Sequence, residues 1–517
     1  MVRIVRRTTR GLRLGNLVIV LAAAALAAGA CSGDPGESSG DTLTIGLVQQ
    51  PLSLDPAKTN TGASQLIALA YDTLIVKNPD GSLSPGIATD WSYVGSGNTR
   101  FELTIREGVT FADGTPLDAE AVAKSITYFK GANGPPAATL AAVKTAKALS
   151  ATKVRLDLSA PNPVLPQLLS QDYLAGAVIN PKATENPAQL GADTFGAGPY
   201  LLDKGATVIG DHFTLVPNPK YWNPPAVKWD KIVFRVIANP SALLGAMQTG
   251  QVDVAQGDAS TADKAEAAGL KVLTSPAGWN GLFLMDRSGE VCPALGDQSV
   301  RQALNHAIDR RAIARALLGK YGGPTVQPQS EGWDNYDPAL ESRYPYDPEK
   351  AKELLASSGH KGGVSISVVV TQGPDAQLVQ AVGAYLSKVG VELDVTTAPT
   401  FNDFVSKLTS KKFCAFTTPW GGQPAFIQAG ALFLPGGVGN PFGVIDEQVA
   451  DLVRRAAAAP AEESGELYRR MQARIVDLAW FVPVVRTDTL YYVGDGVTGV
   501  ETTGAEQIPY PLNFRPS

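Results

Sequence analysis

Histidine is nearly missing from this chain: 517 residues hold three, His212, His306 and His360, each alone. Metal catalysis draws on clustered His, Cys or carboxylate ligands, and no such spacing is present. Cysteine is as scarce, at positions 31, 292 and 414 only. No histidine lies within ten residues of Cys292 or Cys414, so neither has the neighbour that would activate a nucleophilic thiolate. A serine-hydrolase GxSxG elbow is absent. SGHK at 358–361 has SxxK spacing but no SDN or KTG companion, and it falls where a helix should end. There is no P-loop, and GAGPYL at 196–201 is not GxGxxG. Long basic runs are missing too, and with a net charge of −5 nothing points to nucleic acid. These absences make a secreted hydrolase the weakest reading.

Apolar runs long enough to span a bilayer are also missing. LVIVLAAAALAA at 17–28 falls short of the roughly 20 residues a crossing helix needs. Five arginines and no acid precede it in the first 30 residues, and AGAC follows. This is a secretory signal pattern, and it resembles the bacterial lipobox, in which the cysteine is lipidated and becomes the first mature residue. The leucine usually found three before that cysteine is displaced to Leu26, with Ala28 in its place. Residues 1–31 therefore read as a lipoprotein signal peptide ending at Cys31, and 32–41 as a flexible tether. An ordinary signal peptide cleaved nearby is the alternative. The expected location is the outer face of the cytoplasmic membrane, held by lipid alone. Outside the cell, Cys292 and Cys414 form an even pair in an oxidising compartment. A bridge between them would close a 122-residue loop, worth about 4–5 kcal/mol; two buried thiols are the alternative.

A last deficit is local. Residues 413–445 carry no charged side chain, against 18% for the whole chain, yet hold six aromatics, seven glycines and four prolines. Around this stretch the pattern is mixed α/β. TLTIGLV, KVRLDLS and KIVFRVI alternate as strands, and VSISVVV reads as a buried one. Asp118 opens a helix DAEAVAKSITYFK, and DPEKAKELLASSG has the same acidic start and glycine stop. SVRQALNHAIDRRAIARALLG reads as one helix, with Val300, Leu304, Ile308 and Ala312 along its apolar side. Asp113-Gly114 marks a tight turn. Asn218, Tyr221 and Trp222 suggest an anchor that packs a loop onto a sheet. Arg301 and Asp309 read as structural ion partners.

These segments, in this order, resemble the extracellular solute-binding proteins of family 5, the dipeptide, oligopeptide and nickel receptors of ABC importers. The resemblance runs through LSLDPAKTNT, AYDTLIVKNPDGSLSPGIATDWS, FELTIREGVTFADGTPLDAEAVAKSI, FGAGPYLL and LVPNPKYWN. It continues through LLGAMQTGQVDVA, DQSVRQALNHAIDRRAI and YDPEKAKELL to PVVRTDTLYYVGDGVTGV. It implies a two-lobed, periplasmic-binding-protein-like α/β fold of class II type with an extra subdomain inserted in the first lobe. The first lobe would span residues 42–278, completed by 487–517, with the insert at about 73–192. The second would span 279–486. A monomer would trap a small solute between the lobes and present it to a membrane permease and its ATPase. A surface sensor or chaperone uncoupled from import is the alternative.

In peptide-binding members a GW-x-x-D loop sets an aspartate against the ligand's α-amino group. The matching residues here are Trp420, Gly421, Gly422 and Gln423, with an amide where the acid would stand. A ligand ammonium would lose a charge-assisted hydrogen bond worth about 1.5–3 kcal/mol, unless Asp403 or another acid substitutes. The solute is therefore expected to be neutral or apolar at Gln423, with peptide as the default class. Trp420, Phe426 and Trp279 are candidate stacking faces, and Asn280, Asn60 and Thr61 candidate polar contacts. The core-packing alternative applies to each aromatic.

Overall fold

Alternating side chains set the strands of the computed structural model, which describes residues 41–504 and 508–517. In TLTIGL, Leu43 and Ile45 are buried between less buried threonines, giving β1 (Thr42–Leu47). An antiparallel sheet comes next, from Ala88–Tyr93 (β2), Arg100–Ile105 (β3), Val143–Ala148 (β4) and Lys153–Leu158 (β5), in the order β2-β3-β5-β4. Helix α1 (Ala119–Gly131) packs on it and starts where expected: the Asp118 carboxylate accepts the Ala121 N–H at 2.9 Å. Asp113-Gly114 makes its turn with Gly114 at φ +85°.

The chain then returns to the main sheet as β6 (Tyr200–Leu202), β7 (His212–Pro217), β8 (Lys231–Val236) and β9 (Val254–Gly257). Between β7 and β8, Trp222 donates its indole N–H to Asp72 Oδ2 at 2.8 Å, and the Arg106 guanidinium lies 4.0 Å from its ring. Burial pushes the Asp72 carboxyl up to about 6. Fourteen residues form β10 (Lys271–Leu284). Next come α2 (Gln298–His306), α3 (Arg310–Leu318) and the short β11 (Gly322–Pro324). After them stand β12 (Val364–Thr371), α4 (Pro374–Leu386) and β13 (Val391–Ala398). The last elements needed here are β14 (Ala415–Thr417), β15 (Trp420–Gly421), α5 (Glu447–Ala458), α6 (Ala461–Asp477) and β16 (Phe481–Val493).

The main sheet has the order β13-β12-β14-β10-β16-β9-β1-β8-β7-β6, with β11 beside β16 and β15 beside β10. Strands β10 and β16 pair antiparallel from Lys271–Val493 to Phe283–Phe481 and so belong to both halves. On one side of this crossing, Ile45, Val254 and Tyr491 share a core with Phe101 and Val154 of the inserted sheet. On the other, the period of two along each strand sorts side chains onto two faces. Leu282, Leu284, Val482 and Val484 pack on one face, and Trp279, Phe283 and Phe481 on the other. Each fully buried side chain of this size contributes about 1.5–3 kcal/mol. The fold is thus α/β and two-lobed, with an inserted subdomain.

Two expectations need amending. The long helix over 299–319 is two helices, because Asp309 leaves helical geometry (φ −80°, ψ 87°) and caps α3 through the Ala312 N–H at 3.0 Å. Arg301 and Asp309 are structural but not partners of each other. Arg301 donates to the carbonyls of Leu295 (2.7 Å) and Leu478 (3.1 Å). Cys292 and Cys414 do form a disulfide, with Cα atoms 6.0 Å apart and both residues within the second lobe. Cys31, the signal segment and the tether up to residue 40 lie outside the described residues. Among the described residues no helix is long and apolar enough to cross a membrane.

Candidate solute-binding cleft

In open α/β sheets ligands gather beyond the carboxyl ends of the parallel strands. In the first lobe β8 and β9 flank β1 in parallel; in the second β13 and β14 flank β12 in parallel. Strand β9 leads into Asp258–Asp263, while β12 leads into Pro374–Leu378 and β14 into Pro419. These segments, from both lobes, line one cavity of about 830 Å³. Asn280 of β10 and Val485 and Thr487 of β16 lie at its crossing-strand side, and Leu317, Leu318 and Tyr321 add a further wall. Its volume falls in the range typical of small-molecule sites, about 300–1,000 Å³.

Of the residues singled out in the sequence, Asn280 lines this cavity. Its Nδ2 donates to Asp375 Oδ1 at 2.9 Å, while its Oδ1 accepts the Gly281 N–H at 2.8 Å, so the amide orientation is set from both ends. Pro419 brings the charge-free stretch to the same wall. The residues after it turn toward a second feature. Trp420 and Gly421 pair with Trp279 and Gly278 as β15 on β10. The Gly422 N–H donates to Ala277 O at 2.6 Å, and a β-carbon at Gly422 would lie 2.0 Å from Trp333 Nε1. The glycine is therefore dictated by close approach of the indole. Gln423 is half-buried, and its carbonyl accepts from Gln329 Nε2 at 3.0 Å. Phe426 is half-buried against the aromatic core. Trp420 is half-buried, with its ring 5.9 Å from Phe283 and its buried indole N–H without a partner.

Trp279 does not offer a stacking face. It is 0% exposed, stacked on Phe283 at 4.5 Å and edge-on to Phe481 at 5.7 Å, because its side chain points to the opposite sheet face from Asn280. Asn60 does not join the cavity wall; its Nδ2 donates to Gln50 O at 3.3 Å in the loop after β1. Thr61 opens a single 3-10 turn, Thr61–Ala63, and its side chain lies outside the described residues. Asp403 is exposed and taken up in a helix start, with its Oδ2 accepting from Thr400 Oγ1 at 2.8 Å.

Sequence reasoning missed Trp333 and Asp334. Their loop crosses from the second lobe toward the insert, where Lys77 Nζ stands 5.1 Å from the Trp333 ring centroid while also pairing with Asp172 at 2.7 Å. Asp334 Oδ1 accepts the Ala425 N–H at 3.0 Å, and desolvation by its neighbours raises its carboxyl above the ordinary range. The segments after β9 and β12 were also missed, although their place at strand ends was a usable signal. Among the described residues no group of three or more His, Cys, Asp or Glu is placed to hold a metal ion.

Residues 82–434 match the family model for bacterial extracellular solute-binding proteins, family 5. Among curated proteins, the glutathione-binding protein GsiB of Escherichia coli K12 is 27% identical over 361 residues, covering 66% of this chain and 67% of that protein. Among solved structures, HbpA2 from Haemophilus parasuis superposes with a TM-score of 0.79 at 20% identity, covering 92% of this chain and all of that one. The murein tripeptide-binding protein MppA, in an unliganded open form, gives 0.77 at 20%, covering 93% and 98%. Family match, two-lobed fold and a cavity walled by both lobes agree: the chain belongs to the family 5 bacterial extracellular solute-binding proteins, the receptors that serve ABC importers.

Proposed function

We propose that this protein is a lipid-anchored receptor that captures a peptide or other small organic solute between its lobes and hands it to an import permease. The observation that carries this reading is the cavity of about 830 Å³ built from strand ends of both lobes, Asp258–Asp263 on one side and Pro374–Leu378 on the other. A solute there touches both lobes and so favours their approach, since a ligand shifts an equilibrium only by what it contacts better in one state. Residues 42–278 with 487–517, carrying the insert at about 73–192, act as one body, and 279–486 as the other. The peptide class is supported by the family and by the glutathione-binding relative. Cys31 carries the lipid and residues 32–41 supply the reach.

We infer that Trp420, Gly421, Gly422, Gln423 and Phe426 extend the binding surface beyond Pro419, and that a solute reaching Gln423 carries no positive charge there. Native mass spectrometry of the protein purified from its own cells tests the receptor reading, because a retained solute is read directly by mass. Retention of a peptide or small organic molecule is expected. Absence of any retained solute, together with no thermal shift across peptide and sugar panels, would remove the reading. Metabolic labelling with a palmitate analogue, lost in Cys31→Ala, tests the anchor.

A further inference from the structure

We propose that the cavity reads a positive charge on the solute, an ammonium or guanidinium group, through Asp375. This rests on the receptor reading above and moves the point of charge recognition from Gln423 to the start of α4. Asp375 is 8% exposed and lines the cavity. Its Oδ1 accepts from Asn280 Nδ2 at 2.9 Å and its Oδ2 from Thr371 Oγ1 at 2.7 Å, both neutral donors. A carboxylate accepts about four hydrogen bonds, so half its capacity stays open. Among the described residues it has no cationic partner within 4.0 Å, and a buried carboxylate without a counter-charge is costly.

Its place in the first turn of α4 does not account for this. An acid there gains from the helix dipole, but the cap position is Gly373 and no side chain caps the helix. The oxygens of Asp375 turn to Asn280 on the crossing strand and Thr371 at the end of β12 rather than to helix N–H groups. The facing lobe adds Asp258 and Asp263 to the lining. One lysine also lines it, and that ammonium is already engaged: Lys320 Nζ lies 2.5 Å from Glu266 and 3.5 Å from Asp263. The cavity therefore holds more carboxylates than cations. Leu317, Leu378 and Val485 supply the apolar wall that an alkyl stem would follow. A solute that fits carries a basic group on an aliphatic arm directed at Asp375.

The test is calorimetric titration of the solute-stripped, refolded mature chain with two blocked peptides, N-acetyl-Ala-Lys-Ala-amide and N-acetyl-Ala-norleucine-Ala-amide. They differ only in the terminal ammonium of the side chain. The lysine peptide is expected to bind at least about tenfold more tightly, and Asp375→Asn to shrink that preference to about twofold or less, whatever its effect on the norleucine peptide. Asp258→Asn serves as a second variant should Asp375→Asn not refold, with a smaller loss of the same preference expected. Equal binding of the two peptides by the native chain overturns the inference alone. Equal weakening of both by Asp375→Asn makes the residue a scaffold element and also overturns it. Binding of neither peptide overturns the inference and the peptide reading together.

Discussion

A single methyl group at position 422 would have to occupy space held by the Trp333 indole, 2.0 Å away. Gly422→Ala is expected to push Trp333 off Lys77 and to cost about 1–3 kcal/mol. A lowered melting temperature with weakened solute binding is the readout; an unchanged melting curve would show that the loop gives way freely. Asp72 makes a different prediction. Its folded pKa of about 6 exceeds the value of 3.8 expected when unfolded, so between those pH values the folded chain holds the extra proton. Stability from this group therefore rises as pH falls through that window and is lost as pH rises through about 6, by roughly 3 kcal/mol at most. Asp72→Asn should flatten the dependence of melting temperature on pH across that interval. A slope identical to that of the native chain would assign the effect elsewhere.

Among elements, the insert meets the end of α5 through one side chain. Asn98, at the turn between β2 and β3, holds φ +49° and donates its Nδ2 to the carbonyls of Ala457 and Ala459, each at 3.0 Å. These carbonyls end a helix of the other lobe and otherwise lack intrahelical partners. Asn98→Gly keeps the left-handed backbone while removing the amide. It should reduce solute affinity by about three- to tenfold, with global stability changed by less than about 1 kcal/mol; unaltered affinity would detach this contact from closure. Elements were legible where one residue type enforces one geometry, as with Asp118 at the start of α1 or Gly114 in its turn. The break at Asp309 was hidden because Val300, Leu304, Ile308 and Ala312 keep a helical recurrence across it. A cap acting inside an unbroken apolar pattern leaves little trace in that pattern. The site was half legible for a related reason. Alternation shows that Trp279 and Asn280 face opposite ways, but only the assembled sheet decides which face is core and which is cavity.

At the scale of the molecule, the disulfide and the crossing strands act on different things. Cys292 and Cys414 are both in the second lobe, so the bridge constrains that lobe without tying it to the first. Cys292→Ser with Cys414→Ser should lower unfolding free energy by about 2–5 kcal/mol, seen in urea titration, while affinity for solute stays within about twofold. A large loss of affinity would mean that the bridge also shapes the cleft. The crossing strands carry a further consequence. Strand β9 of the first lobe has β1 on one side and the far half of β16 on the other, with Val254 paired to Val493. A chain delivered amino terminus first therefore exposes β9 with one edge unpaired until residue 493 has emerged. The half of the sheet that is made first therefore completes its pairing last, when the tail of the chain arrives.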